Sequence, residues 1–343
     1  MNEYSRFQDE PILDYELRIC SKKKEIGTWD DVADILNKEL NQSFTESKYR
    51  KMFHNSERMS CNMSTKAVAE KLMEDFKIVS GRDRTKSDNI RILTISDLHI
   101  PYNDPIKILE PYFNNVDILQ INGDIVDCQS LSKFPKIYRK SPIDEIVEAH
   151  YILQEIIMKI NPKKVVVNIG NHDIRFQNYL AHNLDTDILE LMPMTSAELL
   201  FVDGFTRYDK ETKDKYKYQP LCAMFKDTEF VFNNTWYSKI GDCIFCHPYC
   251  FSSGILSTAE KARRYFKDEG ISFKYLIMAH THRIGYYYIG DTRIYEQGAF
   301  CDTSKMNYGD GKLQRSQKQG FMYLEQDTNG NTIRESVKQI ELN

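Results

Sequence analysis

A chain of 343 residues with 28% charged and 41% hydrophobic residues has the composition of an ordinary soluble protein, long enough for two domains. Its formal net charge of -4 names no partner. No run of eighteen apolar residues occurs, and the first residues, MNEYSRFQDEPILDYEL, lack the zones of a secretion signal, so the expected compartment is the cytoplasm with no membrane contact.

Residues 14–60 read as helices. In TWDDVADILNKEL, Thr28 supplies an N-cap with Asp31 three residues on, and Val32, Ile35, Leu36 and Leu40 share one face. The sequence NQSF breaks that helix. Helical character resumes from Thr45 in TESKYRKMFHNSERM, which carries Lys48, Arg50, Lys51 and Arg58, so the pair is similar to a helix-turn-helix. Such a pair binds DNA through its basic residues or serves as a docking module, and here acidic residues nearly balance the basic ones. A further helix is expected in TKAVAEKLMEDF, and the aperiodic polar stretch SGRDRTKSDN reads as a linker. The expected division is a helical module over 1–79, a linker over 80–89 and a second domain over 90–343.

From Ile90 the pattern changes to short apolar, often β-branched runs: IRILTISD, VDILQINGD, KVVVNIGN, CIFCH and YLIMAH. Such runs suit buried strands of a layered α/β domain, with PIDEIVEAHYILQEIIMKI and LSTAEKARRYFKDEG as the helices that cover it. The stretch between Asn171 and His247, including the charged, Tyr-rich YDKETKDKYKYQP, reads as an exposed insertion. Toward the end, Gly-Asp and Asn-Gly turn signals predict hairpin strands, and the Tyr286–Tyr288 stripe is expected to divide between core and surface. His54, His150 and His182 receive no role.

Each of the five apolar runs ends in residue types that ligate metals. These are Asp97 and His99, Asp124 with Asp127 three residues later, Asn171 with His172 and Asp173, His247, and His280 with His282. In open α/β sheets, ligands gather beyond the C-terminal strand ends, so these residues should converge on one crevice. A shared carboxylate between two cations, with imidazole and oxygen ligands around it, suits transition metals rather than Ca²⁺. In the first pair, the i, i+2 spacing can put both side chains on one side of an extended segment.

The order D-x-H, GD-x-x-D, GNHD, H, H-x-H resembles the calcineurin-like metallophosphoesterase superfamily over about residues 90–300. The resemblance implies a four-layer α/β/β/α sandwich beside the small helical N-terminal domain. It also implies two divalent metal ions, Mn²⁺ first with Fe or Zn as alternatives. One would be held by Asp97, His99, Asp124 and His282, the other by Asp124, Asn171, His247 and His280, with Asp124 bridging. His172 would then be the catalytic acid or transition-state donor, oriented by Asp127, while a hydroxide between the cations attacks phosphorus in line.

Cys128 stands where the protein phosphatases of this superfamily carry Arg, and Ala279 replaces the usual Gly. Arg175 and Arg283 are candidates for the substrate phosphate, with ordinary salt bridges as the alternative. The expected activity is metal-dependent hydrolysis of a phosphate ester by a phosphodiesterase or nuclease acting on nucleic acid. The alternatives are a phosphomonoesterase and a non-catalytic DNA-binding or scaffold protein. The arrangement also looks similar to phage-encoded phosphoesterases with a short N-terminal helical module, which would place it in a host cytoplasm.

The segment CIFCHPYC raises a separate question, because C-x-x-C-H is also the signature of covalent haem attachment. Eight cysteines without a disulfide framework fit a reducing compartment, whereas haem attachment belongs to exported chains. Residues 243 and 246 face opposite sides of a straight strand, so their thiols do not converge on zinc. The expectation is a buried strand that delivers His247 at its end.

Overall fold

A computed structural model describes residues 4–53, 89–132, 140–305 and 317–342, apart from positions 8, 9, 11, 193, 194, 210 and 211. The chain divides into two compact units, Met1–Asp83 and Arg84–Asn343. The expected helix TKAVAEKLMEDF, Arg58, His54 and all of the expected linker except Asn89 lie outside the described residues.

In the first unit, α1 (Ile12–Ser21) and α2 (Trp29–Leu40) are followed by a helix over 46–53. Thr28 and Asp31 close a reciprocal capping box on α2, and Asn41 ends it in the left-handed conformation. Tyr15, Ile19, Val32, Leu36 and Tyr49 form its small core. Lys48 pairs with Glu16 at 3.7 Å and lies over the Phe44 ring, and Arg50 pairs with Glu46 at 3.6 Å. Two of the basic residues on the face that could meet DNA or a docking partner, Lys48 and Arg50, are therefore engaged inside the unit.

The second unit is built from two sheets. One runs β13 (Lys338–Leu342), β12 (Gln319–Gln326), β1 (Ile90–Ile95), β2 (Ile118–Asn122), β3 (Lys164–Asn168), β6 (Glu229–Phe232). The other runs β10 (Ile284–Ile289), β11 (Thr292–Gln297), β9 (Tyr275–Met278), β8 (Cys243–Cys246), β7 (Tyr237–Ile240). The pairs β1–β2, β2–β3 and β8–β9 are parallel, which brings their C-terminal ends to the same edge of each sheet.

Alternation along the strands sets the layers. Ile92, Ile118, Val166, Cys243, Phe245 and Ile277 pack between the sheets. Leu93, Ile121 and Val167 face helix α3 (Pro142–Ile160), while Ile244, Cys246 and Leu276 face helix α4 (Ser257–Asp268). The result is the four-layer α/β/β/α sandwich. Cys243 and Cys246 point into different layers, and among the described residues every cysteine is free.

The stretch between Asn171 and His247 is more than an insertion. Its YDKETKDKYKYQP portion forms part of a two-stranded ribbon, β4 (Phe205–Tyr208) with β5 (Lys215–Tyr218). The remainder supplies an edge strand to each main sheet, β6 and β7, and buries Leu200, Phe201 and Leu221 in the core. Farther on, Gly290 and Asp291 make the two-residue turn of the β10–β11 hairpin, as expected. Tyr286 and Tyr288 point outward and Tyr287 inward, where its hydroxyl donates to Glu296.

At the opposite end of β1 and β2, Asp117 accepts from Arg91 N and Nε at 3.1 and 2.9 Å and from Lys163 Nζ at 2.9 Å. Burial opposes its charge, but these donors hold the carboxyl at about 2 against an ordinary 3.8. A depressed carboxyl adds stability above its unfolded value and loses it as pH falls toward the folded one. Asp117→Asn should therefore cost about 2 kcal/mol at pH 7, a gap that closes between about pH 4 and pH 2 in denaturant unfolding curves.

Candidate metal centre

The ends of five strands converge here, and after three of them, β1, β2 and β9, the backbone turns sharply. Asp97, His99, Asp124, His280 and His282 all adopt positive φ, between 43° and 80°. The Asp97–His99 segment is thus not extended as its spacing suggested. Two left-handed residues aim both side chains at one point instead, and such strain concentrates at functional sites.

Three sets of donor atoms each lie within 4.8 Å of one another: Asp97, His99 and His282; His99, Asp124 and His172; Asp124, His247 and His280. Asp124 is common to two of them. Its Oδ2 is 3.2 Å from His247 Nε2 on one side and 3.8 Å from His99 Nε2 on the other. Its Oδ1 accepts the backbone N–H of His172 at 2.7 Å. Asn171 joins the group through its Oδ1, 2.6 Å from His280 Nδ1.

Surrounding groups fix these side chains. The carbonyl of Asn122 sits 2.8 Å from His247 Nδ1, which keeps the proton there and turns Nε2 to the centre. Ser96 Oγ donates to Asp97 Oδ2 at 2.7 Å and is itself held by Gln297. Neither His247 Nε2 nor His280 Nε2, both buried, makes a hydrogen bond in this structure. The short His247–Asp124 approach lacks hydrogen-bond alignment.

Electrostatics prepares the same groups as ligands. Burial, then the charge of His247, keeps Asp97 and Asp124 in opposite balance: the first disfavours ionisation, the second overcomes it, and Asp97 is held at about 2 with Asp124 also low. Burial and the facing His172 lower His99 to about 4, and burial with His247 lowers His280 to about 3. Burial opposes the charge of His247, yet the Asp124 and Asp97 carboxylates raise it to about 9. Ionised carboxylates beside the neutral His99 and His280, with His247 holding a proton that a bound cation would displace, form the donor set of a borderline divalent cation, so the residues fit one.

His172 projects into the same space. Its Nδ1 is 2.9 Å from the Asp127 carboxylate, which sits well below the usual carboxylate range because, although burial opposes its charge, His172 and His99 hydrogen-bond it. Its Nε2 is 2.8 Å from Arg175 Nη2, and Arg175 Nη1 donates to the Asp127 carbonyl. A guanidinium only donates, so Nε2 is the acceptor and Nδ1 the donor in this arrangement. Arg283 lies elsewhere, over the Phe251 ring at 5.1 Å and against the carbonyls of Ser253 and Gly254. Cys128 is buried and left-handed, and its thiol is pushed up by burial.

One residue quoted in GNHD but given no role proves central. Asp173 accepts from the backbone N–H of Asp124 and Gly170 at 2.9 Å and of Ile125 at 3.2 Å, and from Ser196 Oγ at 3.3 Å. Burial, then the nearby Asp124 charge, pushes its carboxyl up to about 6. The signal was an acidic residue directly after GNH with no ligand to hold.

Gly170 shows how little slack the centre has. A Cβ there would lie 2.1 Å from Asp124 Oδ1 and 2.5 Å from Asp124 N. Gly170→Ala should displace the shared carboxylate and lower kcat/KM roughly 10²-fold, measured with a chromogenic diester, because a shift of about 1 Å costs that much.

A buried carboxylate–imidazole centre at the strand ends of a two-sheet sandwich defines a metal-dependent hydrolase of phosphate esters. Residues 90–284 match the family model described as calcineurin-like phosphoesterase, and the chain belongs to that family. Residues 1–68 match the YonJ N-terminal domain. A 51-residue stretch is 39% identical to the SPbeta prophage-derived protein YonJ of Bacillus subtilis (strain 168), covering 15% of this chain and only 13% of that protein.

Among solved structures, a Vps29 single mutant from Entamoeba histolytica is 12% identical, with a TM-score of 0.33, over 74% of this chain and all of that one. Vps29 from Cryptosporidium parvum gives 14% and 0.33 over 74% and 98%, and an archaeal phosphodiesterase 15% and 0.30 over 74% and 100%. These scores carry no weight for function. Among the described residues, no helix is long and apolar enough to cross a membrane.

Proposed function

We propose that the chain is a phosphodiesterase acting on nucleic acid through two divalent cations, Mn²⁺ by preference. One cation is assigned to Asp97, His99, Asp124 and His282, and the other to Asp124, Asn171, His247 and His280. The observation that carries the two-metal reading is the position of the Asp124 carboxylate, shared between two groups of candidate ligands. The bound cations would supply Lewis-acid polarisation of the phosphoryl oxygens and activation of water.

The protein's own residues supply the rest. Asp127 holds the His172 imidazole by Nδ1, leaving Nε2 as the atom that meets the substrate. In the resting arrangement Arg175 occupies that atom, so substrate binding must draw the guanidinium away, and a phosphate oxygen is its natural new partner. His172 Nε2, the acceptor in this arrangement, is then free to take up a proton from solvent and pass it to the leaving oxygen. On this reading His172→Ala keeps its metals, measured by elemental analysis, and loses roughly 10²-fold or more in kcat. Full turnover in that variant sinks the assignment.

The diesterase preference is supported by Cys128, buried where the phosphoprotein enzymes of the superfamily place a substrate-facing Arg. The proposed division is a module over 1–79, a linker over 80–89 and a catalytic domain over 90–343, in a phage-encoded protein working in a host cytoplasm. The module is assigned to docking rather than to DNA, because Lys48 and Arg50 are engaged by Glu16 and Glu46. A Mn²⁺-supplemented assay comparing a phosphomonoester, a phosphodiester and single- and double-stranded DNA tests the proposal. Cleavage of the monoester alone would falsify it.

A further inference from the structure

The segment that follows His247 differs from the rest of the surface near the metal centre. Tyr249, Phe251 and Ile255 are 42%, 52% and 58% exposed, although each is large and apolar in body. Two cations bracket this segment. Lys261 Nζ lies 2.9 Å from Ser252 Oγ, and Arg283 touches the carbonyls of Ser253 and Gly254 and covers the Phe251 ring. Neither makes an ion pair among the described residues, whereas Arg263 and Arg264 on the same helix are both paired with Glu260.

Beneath the segment is a cavity of about 300 Å³, bordered by Trp236, Pro248, Tyr249, Lys261 and Tyr265. Lys261 and Tyr265 are four residues apart on α4 and present one face to it. The indole of Trp236 is held by stacking on Phe266, with centroids 5.1 Å apart and planes 24° apart, and Tyr265 lies 5.3 Å from it. The cavity is joined to the metal centre through the chain itself. His247 N donates to Trp236 O at 2.8 Å, and Pro248 and Tyr249 directly continue the ligand strand. Phe251 comes within 6.3 Å of the His280 ring.

Aromatic faces interleaved with unpaired cations are what single-stranded nucleic acid requires, since every base has a face to stack and every linkage a charge. The size is right for one base, because the volume lies at the lower end of ligand pockets. We infer that this cavity is a nucleoside subsite: one base of a single strand enters against Trp236 and Tyr265, and Lys261 and Arg283 meet the flanking phosphates. The inference rests on the nucleic-acid reading above and names the form of substrate it takes, a single strand.

Two esters that release the same leaving group test it. Thymidine 5′-(p-nitrophenyl phosphate) carries a nucleoside, and methyl p-nitrophenyl phosphate carries none. The ratio of their kcat/KM values should favour the nucleoside ester in the wild type and fall about tenfold in Tyr265→Ala and in Lys261→Glu, the loss expected for one stacked base. A ratio unmoved in both variants overturns the subsite.

Binding is read independently of turnover. The chain has two tryptophans, Trp29 and Trp236, so Trp29→Phe leaves Trp236 as the only indole. Thymidine 5′-monophosphate should quench its fluorescence, and Tyr265→Ala should weaken that binding about tenfold. No quenching at millimolar nucleotide overturns the subsite, as it would if the aromatic segment docks a protein instead. If neither ester is hydrolysed while quenching is retained, the diesterase reading falls and the nucleoside site stands.

Discussion

Asp124→Asn should lower kcat/KM toward a phosphodiester roughly 10³-fold or more and should remove the thermal stabilisation expected from Mn²⁺ in the wild type. The side chain keeps its shape, so its Oδ1 still accepts the His172 N–H, and what is lost is the charge between two ligand groups. On the proposed assignment each cation would lose one ligand. The first retains Asp97, His99 and His282, and the second retains Asn171, His247 and His280, but the latter no longer holds a carboxylate. Differential scanning with and without Mn²⁺, alongside elemental analysis, separates the loss of metal from the loss of fold. A variant that binds two equivalents of metal and is stabilised as the wild type is would remove Asp124 from the bridging position.

The strands that carry this chemistry were legible because each is a buried run closed by a ligand-type residue. The β1, β2, β3, β8 and β9 runs are buried on both faces and mostly apolar, as strands enclosed between a second sheet and a helix must be. The α2 cap and the α3 periodicity were legible for local reasons, since both depend on residues within four positions. Less could be read where the deciding contacts are distant. The edge strands β6 and β7 are short and half-buried, and only pairing with β3 and β8 makes them strands. The positive φ at Asp97 and His99 is also non-local, because the loop is held by Gly123 and Asp124 carbonyls through the Asp97 and His99 N–H groups. Arg175 was visible as a phosphate candidate, but its present partner, His172 Nε2, follows from the turn into the helix Ile174–Asn183. The cavity beside Trp236 has no sequence signal, since its walls come from a loop, a helix and the residue before β7.

Asp173 makes the strongest case for a residue whose role only the fold reveals, and its replacement should be the most destabilising change at the site. Its two oxygens face three backbone N–H groups and one hydroxyl, drawn from the loops after β2 and β3 and from Ser196. Every partner is a donor as arranged, so the amide NH₂ of an asparagine must oppose at least one N–H whichever way it turns. A buried donor left unsatisfied costs about 1–3 kcal/mol, and Asp173→Asn creates two such groups, one on each side of the clash. The neutral amide relieves the buried charge that lifts the carboxyl to about 6, which offsets part of this cost, so Asp173→Asn should lose about 1 kcal/mol or more of stability, and Asp173→Leu, which strands all the donors, should lose more. Because the same oxygens hold Asp124 N and Gly170 N at 2.9 Å, the loops that present Asp124 and His172 should loosen together. Mn²⁺ affinity should then fall 10–100-fold in the Asn variant even under conditions where it remains fully folded, the range seen when a group supporting a metal ligand is removed. Urea unfolding gives the stability and a Mn²⁺ titration of the folded protein gives the affinity. Wild-type values for both would mean that the Asp124 loop is held by its own backbone geometry, with Asp173 a bystander.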